Sequence, residues 1–273
     1  MTKKTPVIIA FINLKGGVGK TALSVNFAAF CGKEGMNTLL IDLDPQANAT
    51  FSCITIEEWQ KAADETGTVA NLLGVRSHTS AEGKEKKAEE IVRKAVFPNV
   101  DLIPSHLELF TVDLDLGSQT ARETKLKRAT KEFIAQYEIV VCDCPPNLTI
   151  PTQNAIAMST HYVVPVSPDF LSSLGVALLV TRVEKLSGDL ENNIEHAGIV
   201  MSRVGRPSQF REQTKQTLRQ TFGKLVFESE IKERSSVTES TAKNKSIFEF
   251  DTAGPSAKEF EAFAKELLER LKK

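Results

Sequence analysis

A glycine-rich segment near the N-terminus has the residue types that bind phosphate groups. It reads Lys15-Gly-Gly-Val-Gly-Lys20-Thr21, with an apolar run before it and a helical pattern after it. Glycines allow backbone N–H groups to surround phosphate oxygens, and a helix N-terminus adds partial positive charge. Lys20 can neutralise phosphate oxygens, and the Thr21 hydroxyl can ligate Mg²⁺. The predicted nucleotide-binding residues of this loop are Lys15, Gly16, Gly17, Val18, Gly19, Lys20, Thr21 and Ala22.

The loop departs from the strict Gly-x-x-x-x-Gly-Lys-Thr pattern. Leu14 occupies the first glycine position, and a second lysine, Lys15, opens the segment. A Gly-Gly-x-Gly sequence alone could be a tight turn between a strand and a helix. The Lys20-Thr21 pair and the flanking elements favour phosphate binding over a simple turn.

Two acidic residues follow later apolar runs and are candidates for the same site. Asp143 ends the run Glu138–Asp143, and Asp44 comes just after Thr38–Asp42. Side chains at the carboxyl ends of parallel strands point into the ligand crevice, so both carboxylates are predicted to face the phosphates across Mg²⁺. For Asp42, capping of the next turn and a functional role are equally open.

The elements that must position these residues form an α/β fold. Apolar runs alternate with helical patterns such as Leu23, Phe27 and Phe30, which predicts a doubly wound, mostly parallel sheet with helices on both faces. The predicted strands are Val7–Asn13, Thr38–Asp42, Val100–Pro104, Glu138–Asp143, His161–Ser167, Gly198–Ser202 and Lys224–Glu228.

The chain of 273 residues, 41% of them hydrophobic, is predicted to form a single domain over 1–273. The polar tract 67–95 is interpreted as a surface excursion that adds little to a core. The segment 257–273 is predicted to be an amphipathic helix that packs on the domain.

Charge and cysteine usage limit the partners and the compartment. Thirty-four basic and 35 acidic residues give a net charge of −1, so any polyanion must be bound by a local patch. The four cysteines lack zinc-finger spacing, and neither a signal peptide nor a membrane-spanning run is recognisable. We therefore expect a cytoplasmic protein that does not bind membranes.

The motifs together resemble the deviant Walker A (ParA/MinD) P-loop family, and within it the ParA-type partition ATPases. The loop at 15–21 is similar to the family signature, 38–50 to its second motif, and 137–147 to its Walker B and second switch. The segments 161–167, 171–180 and 247–251 also look ParA-like, so the resemblance covers nearly the whole chain.

The resemblance implies an ATPase that uses ATP and Mg²⁺. Lys20 and Thr21 would hold the nucleotide and metal, Asp44 would orient or deprotonate the attacking water, and Asp143 would sense the γ-phosphate and metal. Lys15 would reach the partner's nucleotide across a homodimer interface. Lys15, Lys20 and Asp44 are thus the candidate catalytic residues, and Thr21, Asp44 and Asp143 the candidate metal residues.

The resemblance also implies nonspecific binding of double-stranded DNA by the ATP dimer, and partition or positioning of plasmid DNA, chromosomal DNA or another large cargo. A cargo-bound ParB-like adaptor would stimulate hydrolysis, and the protein would be nucleoid-associated. Met201, Ser202 and Arg203 are predicted to bind the nucleotide, although relatives usually carry Asn or Thr here. The preference for ATP over GTP therefore depends on the resemblance.

A local excess of basic residues follows position 203, and it is either a DNA surface or an ordinary solvated face. Two other functions stay open: a membrane-associated MinD-like spatial regulator, and an electron-transfer or metalloid-handling ATPase suggested by Cys142 and Cys144. Strand alternation favours core packing of both cysteines. The candidate DNA contacts, which we call the basic stripe, are Arg203, Arg206, Arg211, Lys215, Arg219, Lys224, Lys232 and Arg234.

Overall fold

One eight-stranded sheet organises the computed structural model, which describes residues 5–75, 86–169, 172–206 and 208–272. Its order is β3-β4-β2-β5-β1-β6-β7-β8, and every neighbouring pair is parallel except β3 and β4. The predicted doubly wound, mostly parallel sheet is therefore confirmed. The strands are β1 Val7–Phe11, β2 Thr38–Asp42, β3 Arg93–Phe97, β4 Val100–Ile103, β5 Ile139–Asp143, β6 His161–Val166, β7 Glu195–Val204 and β8 Val226–Lys232.

Helices connect the strands and cover both faces of the sheet. The described helices are α1 Lys20–Lys33, α2 Asn48–Cys53, α3 Ile56–Glu65, α4 Val69–Leu73, α5 Ala88–Ile91, α6 Val112–Asp115, α7 Lys125–Thr130, α8 Ile150–Met158, α9 Ser172–Asp189, α10 Gln209–Phe222, α11 Ser235–Ala242, α12 Ile247–Phe250 and α13 Pro255–Arg270. In the part of the chain that the structure describes, none of them combines the length and apolar character needed to cross a membrane.

The central strands bring the candidate site together at one edge of the sheet. Their short β-branched and aliphatic runs suit strands that are buried on both faces. In the register, Phe11 pairs with Asp143, and Asp143 pairs with Asp42. The loop after β1 and the carboxylates after β2 and at the end of β5 therefore meet at the carboxyl edge, where α/β sheets bind ligands.

The sheet separates two apolar layers, and one of them holds an aromatic cluster. We define this cluster as Phe11 of β1, Phe27 of α1, Phe227 of β8 and Phe263 of α13, whose contacting rings have centroids 5.4–6.4 Å apart. Phe263 contacts the other three rings and is fully buried. Its place in the core shows that the C-terminal helix α13 lies with its apolar side against the sheet.

We expect Phe263→Leu to lower the free energy of unfolding by about 1 to 2 kcal/mol, because the smaller side chain leaves ring contacts unfilled. Chemical denaturation followed by circular dichroism measures the change. Phe110→Leu is the matched control, because Phe110 is 59% exposed and exposed substitutions change stability by less than about 0.5 kcal/mol. Equal effects of the two variants would contradict a core position for α13.

The interpretation of 67–95 as a surface excursion is wrong at both ends of the tract. Val69 and Leu73 of α4 and Ile91 after it are fully buried in the core, because short apolar clusters in a charged segment can still fill a gap between helices. The strand β3 also begins in this tract. The sequence pattern did not predict it because Arg93 and Lys94 are charged, and an edge strand tolerates charge. The central residues 76–85, with His78 among them, lie outside the described residues.

Candidate nucleotide site

The glycine-rich loop joins β1 to α1 in a backbone conformation that requires glycine. Gly17 and Gly19 have φ angles of 73° and 85°, and Gly19 immediately precedes the first turn of α1. Residues with a Cβ atom rarely adopt these angles. The first turn of α1 contains no acidic side chain, so the positive end of the helix is available to an anion.

Lys20 is a buried cation at the base of this loop. Its Nζ donates a hydrogen bond to the carbonyl oxygen of Lys15 at 3.1 Å, and its residue is only 6% exposed. Burial lowers the pKa of Lys20, while Asp143 and Asp44 oppose this shift. A buried ammonium with this surrounding is suited to an anionic partner such as a phosphate group.

Thr21 and Asp143 present hard oxygen atoms beside Lys20. The Thr21 hydroxyl donates to Oδ2 of Asp143 at 2.8 Å, whereas the buried Oδ1 has no hydrogen-bond partner within the described residues. Burial raises the pKa of Asp143, and the nearby Asp44 carboxylate adds to the rise. An unpartnered buried carboxylate oxygen next to a hydroxyl fits Mg²⁺, which prefers oxygen ligands and keeps several waters.

This oxygen set differs from a metal cage built of protein ligands alone. Among residues 5–75, 86–169, 172–206 and 208–272, no group of three His, Cys, Asp or Glu side chains could hold a metal ion. Mg²⁺ shared with nucleotide phosphates needs only one or two carboxylates, so the residues present fit this ion.

The two cysteines beside Asp143 are buried. Burial raises the pKa of Cys142 to about 12, and both Cys142 and Cys144 lie in the apolar layer. Protonated thiols packed in a core do not favour a metalloid or iron–sulfur site.

Asp44 and Asp42, two residues apart, have different environments. Oδ1 of Asp44 accepts a hydrogen bond from the backbone N–H of Gln46 at 2.9 Å, and Asp44 lines the cavity. Asp42 instead accepts three hydrogen bonds, from the Thr50 amide at 2.8 Å, the Thr50 hydroxyl at 2.7 Å and the Asp44 amide at 3.1 Å. Asp42 therefore holds the backbone amide of Thr50 in the first turn of α2, which favours the capping alternative for this residue.

A cavity of about 600 Å³ extends from the loop. Gly16, Gly17, Gly19, Lys20, Thr21 and Ala22 line one side of it, whereas Val18 is buried elsewhere. The opposite wall comes from the ends of β7 and β8, from α11 and from α13. The wall residues that sequence reasoning missed are Ile231, Glu233, Val237, Thr238, Thr241 and Phe260. Only the rule that ligands bind at the carboxyl ends of parallel strands pointed to the end of β8.

The three nucleotide-binding residues predicted in β7 do not all reach the cavity. Ser202 and Arg203 line it, but Met201 is fully buried in the apolar layer. The Met201 side chain therefore does not line the cavity, because it points to the face of β7 opposite to that of Ser202.

Lys15 lies outside the cavity of its own chain. Its side chain is 59% exposed, and its Nζ forms an ion pair with Asp169 at 2.6 Å. Asp169 follows β6 and precedes α9. Lys15 and Lys20 thus have opposite environments, one at the surface and one buried.

The basic stripe is not a single surface. Arg203, Lys232 and Arg234 line the nucleotide cavity. Lys215 and Arg219 of α10 form ion pairs with Glu230 of β8 at 2.8 and 3.2 Å. Acidic side chains of β8 face α10, so sequence counting overestimated the positive charge that this helix presents. Arg211 donates to the backbone carbonyl of Arg206.

Comparison with known proteins places this site in a family. A protein-family model described as an AAA domain matches residues 6–196 of this chain. The chain is 32% identical over 261 residues to the cell division protein PomZ of Myxococcus xanthus, and the match covers 96% of this chain and 77% of PomZ. This chain belongs to the ParA/MinD family of P-loop proteins. The resemblance drawn from the motifs is thereby confirmed.

Another member of the family and a solved structure match this chain over nearly its whole length. The sporulation initiation inhibitor protein Soj of Bacillus subtilis is 29% identical over 260 residues, which is 95% of this chain and 97% of Soj. A putative plasmid partition protein of Borrelia burgdorferi bound to AMPPNP has a TM-score of 0.80 at 21% identity, with 97% of this chain and 100% of that chain covered.

A second solved structure shares the fold but carries a different name. Cobyrinic acid a,c-diamide synthase of Mycobacterium smegmatis, with a bound ATP analog and magnesium, has a TM-score of 0.77 at 22% identity, with 98% of this chain and 96% of that chain covered. The ParA-type fold is thus common to proteins with different reactions, and the function must be argued from the site.

Proposed function

We propose that this chain is an ATPase that dimerises when it binds ATP, binds nonspecific DNA as a dimer, and partitions or positions DNA or another large cargo. The observation that carries the proposal is the buried Lys20 beside Asp44 and Asp143, at the start of α1 and after a glycine loop, in a ParA/MinD family chain. A purely structural turn would not bury an ammonium group near two carboxylates with one carboxylate oxygen left unpartnered.

The proposed ligands are ATP and Mg²⁺. The Borrelia neighbour binds AMPPNP, and the Mycobacterium smegmatis neighbour binds an ATP analog with magnesium. In this chain Thr21, Asp143 and Asp44 would hold the metal, partly through water, and the glycine loop would hold the phosphates. Bound Mg²⁺ would neutralise phosphate charge and orient the oxygens of the nucleotide.

Hydrolysis requires a residue that handles the proton of the attacking water. Asp44 lines the cavity, and the hydrogen bond from the Gln46 amide to its Oδ1 holds the carboxylate in place. We assign Asp44 to orient or deprotonate the water, and Lys20 to neutralise charge on the phosphoryl oxygens. Phosphate release by the purified chain with ATP and Mg²⁺ tests whether this site hydrolyses ATP. Slow release supports hydrolysis, and ATP binding with no phosphate release under any condition contradicts it.

Lys15 is proposed to act on the nucleotide of a second copy of the chain. Its ammonium is exposed and outside its own cavity, so it is accessible to a partner. A cation brought into a water-poor interface stabilises the spread charge of the phosphoryl group more than it does in water. Dimerisation and hydrolysis would then depend on each other.

We expect Lys15→Ala to bind ATP nearly as tightly as the wild type but to lose ATP-dependent dimerisation or stimulated hydrolysis by at least about tenfold, because the cross-subunit cation is missing. Light scattering with ATP and phosphate release measure the two properties. Lys258→Ala, which removes an exposed lysine of α13, is the matched control. A Lys15→Ala variant that retains both properties would refute the cross-subunit role.

The DNA and adaptor partners are proposed from the family. Soj and PomZ carry names tied to sporulation and cell division, and the Borrelia neighbour is named for plasmid partition. DNA binding would use the basic residues that remain outside the nucleotide cavity, such as Arg206, Arg211 and Lys224, and a ParB-like adaptor would release the dimer by stimulating hydrolysis. We accordingly propose a cytoplasmic, nucleoid-associated protein.

A membrane-associated role receives less support from the geometry. The apolar residues Phe260, Phe263 and Leu267 of α13 are buried against the sheet. The same helix carries the exposed Glu269, whose charge anionic lipids would repel. The DNA-binding proposal therefore takes precedence over the MinD-like alternative.

A further inference from the structure

Arg203 has an unusual backbone conformation at the end of β7. Its φ angle is +50°, a region that residues with a Cβ atom seldom occupy. Such a conformation persists only where the surroundings hold it, and it is found frequently at ligand sites. This conformation places the Arg203 side chain against the glycine loop.

The guanidinium of Arg203 joins two parts of the nucleotide site. Nη1 donates to the carbonyl oxygen of Gly17 in the glycine loop at 2.7 Å. Nε and Nη2 donate to Oε1 of Glu233, which follows β8, with the Nε contact at 3.2 Å. All three residues line the cavity. One side chain therefore links the phosphate loop to the wall contributed by the end of β8.

The neighbouring residue makes a second bond to the same loop. The Ser202 hydroxyl donates to the carbonyl oxygen of Val18. A Cβ atom on Gly17 would lie 3.3 Å from Nη1 of Arg203, and one on Gly19 would lie 3.5 Å from the Ser202 side chain. The end of β7 thus packs directly on the loop and holds two of its carbonyl groups away from the phosphate side.

This arrangement affects nucleotide binding through preorganisation. A glycine loop has many accessible conformations, and it binds phosphate well only when its N–H groups converge. Hydrogen bonds to the carbonyl groups of Gly17 and Val18 restrict the loop to one conformation before the ligand arrives. Loss of one such bond would speed ligand release more than it would change the fold.

We propose that Arg203, held in place by Glu233, is a positioning residue that fixes the Gly17 peptide and thereby slows nucleotide release. The proposal rests on the proposed nucleotide binding and goes beyond it, because it assigns Arg203 to control of the loop and excludes it from the DNA surface. In this arrangement Glu233 acts on the loop through Arg203. Both side chains are 51% exposed, so the bonds between them are of moderate strength.

The test is the release rate of a fluorescent ADP analogue, measured by stopped-flow displacement with excess ADP and Mg²⁺. We expect Arg203→Met to release the analogue about threefold to tenfold faster than the wild type, because it removes one hydrogen bond and one exposed ion pair. Glu233→Gln should give a smaller increase, since it weakens the support and leaves the bond to Gly17. Arg203→Lys should restore the wild-type rate only in part, because an ammonium cannot make the forked contact.

Arg182→Met, an exposed arginine substitution in α9, is the matched control and should release the analogue at the wild-type rate. The same variants are assayed for retention on nonspecific duplex DNA at saturating ATP, which distinguishes a loop contact of Arg203 from a DNA contact. Faster release in Arg203→Met, with Arg182→Met at the wild-type rate, supports the proposal. An unchanged release rate in Arg203→Met overturns it, and loss of DNA retention with unchanged release shows a DNA contact instead. A wild-type chain that binds no nucleotide overturns the proposed function and this inference with it.

Discussion

Lys20→Ala is expected to abolish nucleotide binding at concentrations where the wild type is saturated. The buried ammonium would make charge-assisted hydrogen bonds to phosphate oxygens, whereas the other cationic side chains that line the cavity, Arg203, Lys232 and Arg234, come from its opposite wall. Loss of two such bonds corresponds to at least about a hundredfold weaker affinity. Equilibrium titration with a fluorescent ATP analogue in Mg²⁺ measures the change.

Two controls separate loss of the charge from loss of the fold. Lys33→Ala removes a lysine from the last turn of the same helix and should bind nucleotide like the wild type. The circular dichroism spectrum of Lys20→Ala should match that of the wild type, because the substitution leaves the loop glycines and α1 in place. Tight nucleotide binding by a folded Lys20→Ala variant would contradict the assignment of the phosphate site.

Asp44→Ala is expected to bind ATP and to hydrolyse it at least about a hundredfold more slowly than the wild type, since a positioned general base contributes about 10² to 10⁴ in rate. The dimer would then accumulate in its ATP form. Phosphate release and light scattering with ATP measure the two effects together, and the combination distinguishes a trapped dimer from an unfolded chain.

Asp44→Asn provides the sharper comparison for this carboxylate. The amide oxygen of the substituted side chain can still accept the hydrogen bond from the Gln46 amide, but an amide cannot take a proton from water. Asp44→Asn should therefore keep the local structure and lose turnover as Asp44→Ala does. Normal turnover in either variant would remove Asp44 from catalysis.

The parts of the fold that the sequence predicted are those with continuous apolar runs. Val7–Phe11 and Ile139–Asp143 are buried on both faces, and such strands form readable runs bounded by polar residues. The strand Arg93–Phe97 was missed because it lies at the edge, carries two charges and pairs antiparallel to its neighbour. The helix Val69–Leu73 was missed because its apolar residues lie in a charged tract.

The phosphate half of the site was predictable because its residues are contiguous. The other half was not, since Glu233, Val237 and Phe260 come from different elements that only tertiary packing brings together. The basic stripe shows the same limit: charge counting along the chain cannot show that Glu230 pairs with Lys215 and Arg219. The basic residues that are available to bind DNA are therefore known only after such ion pairs are identified.

Retention of the chain on nonspecific duplex DNA should be measured at two salt concentrations, with ATP, with ADP and without nucleotide, alongside anionic liposomes. We expect retention on DNA that requires ATP and falls steeply as salt rises, because released counterions drive binding to phosphates. Liposomes should retain none of the chain. Absence of ATP-dependent DNA retention, or retention on liposomes in its place, would rule out a DNA-binding partition or positioning ATPase.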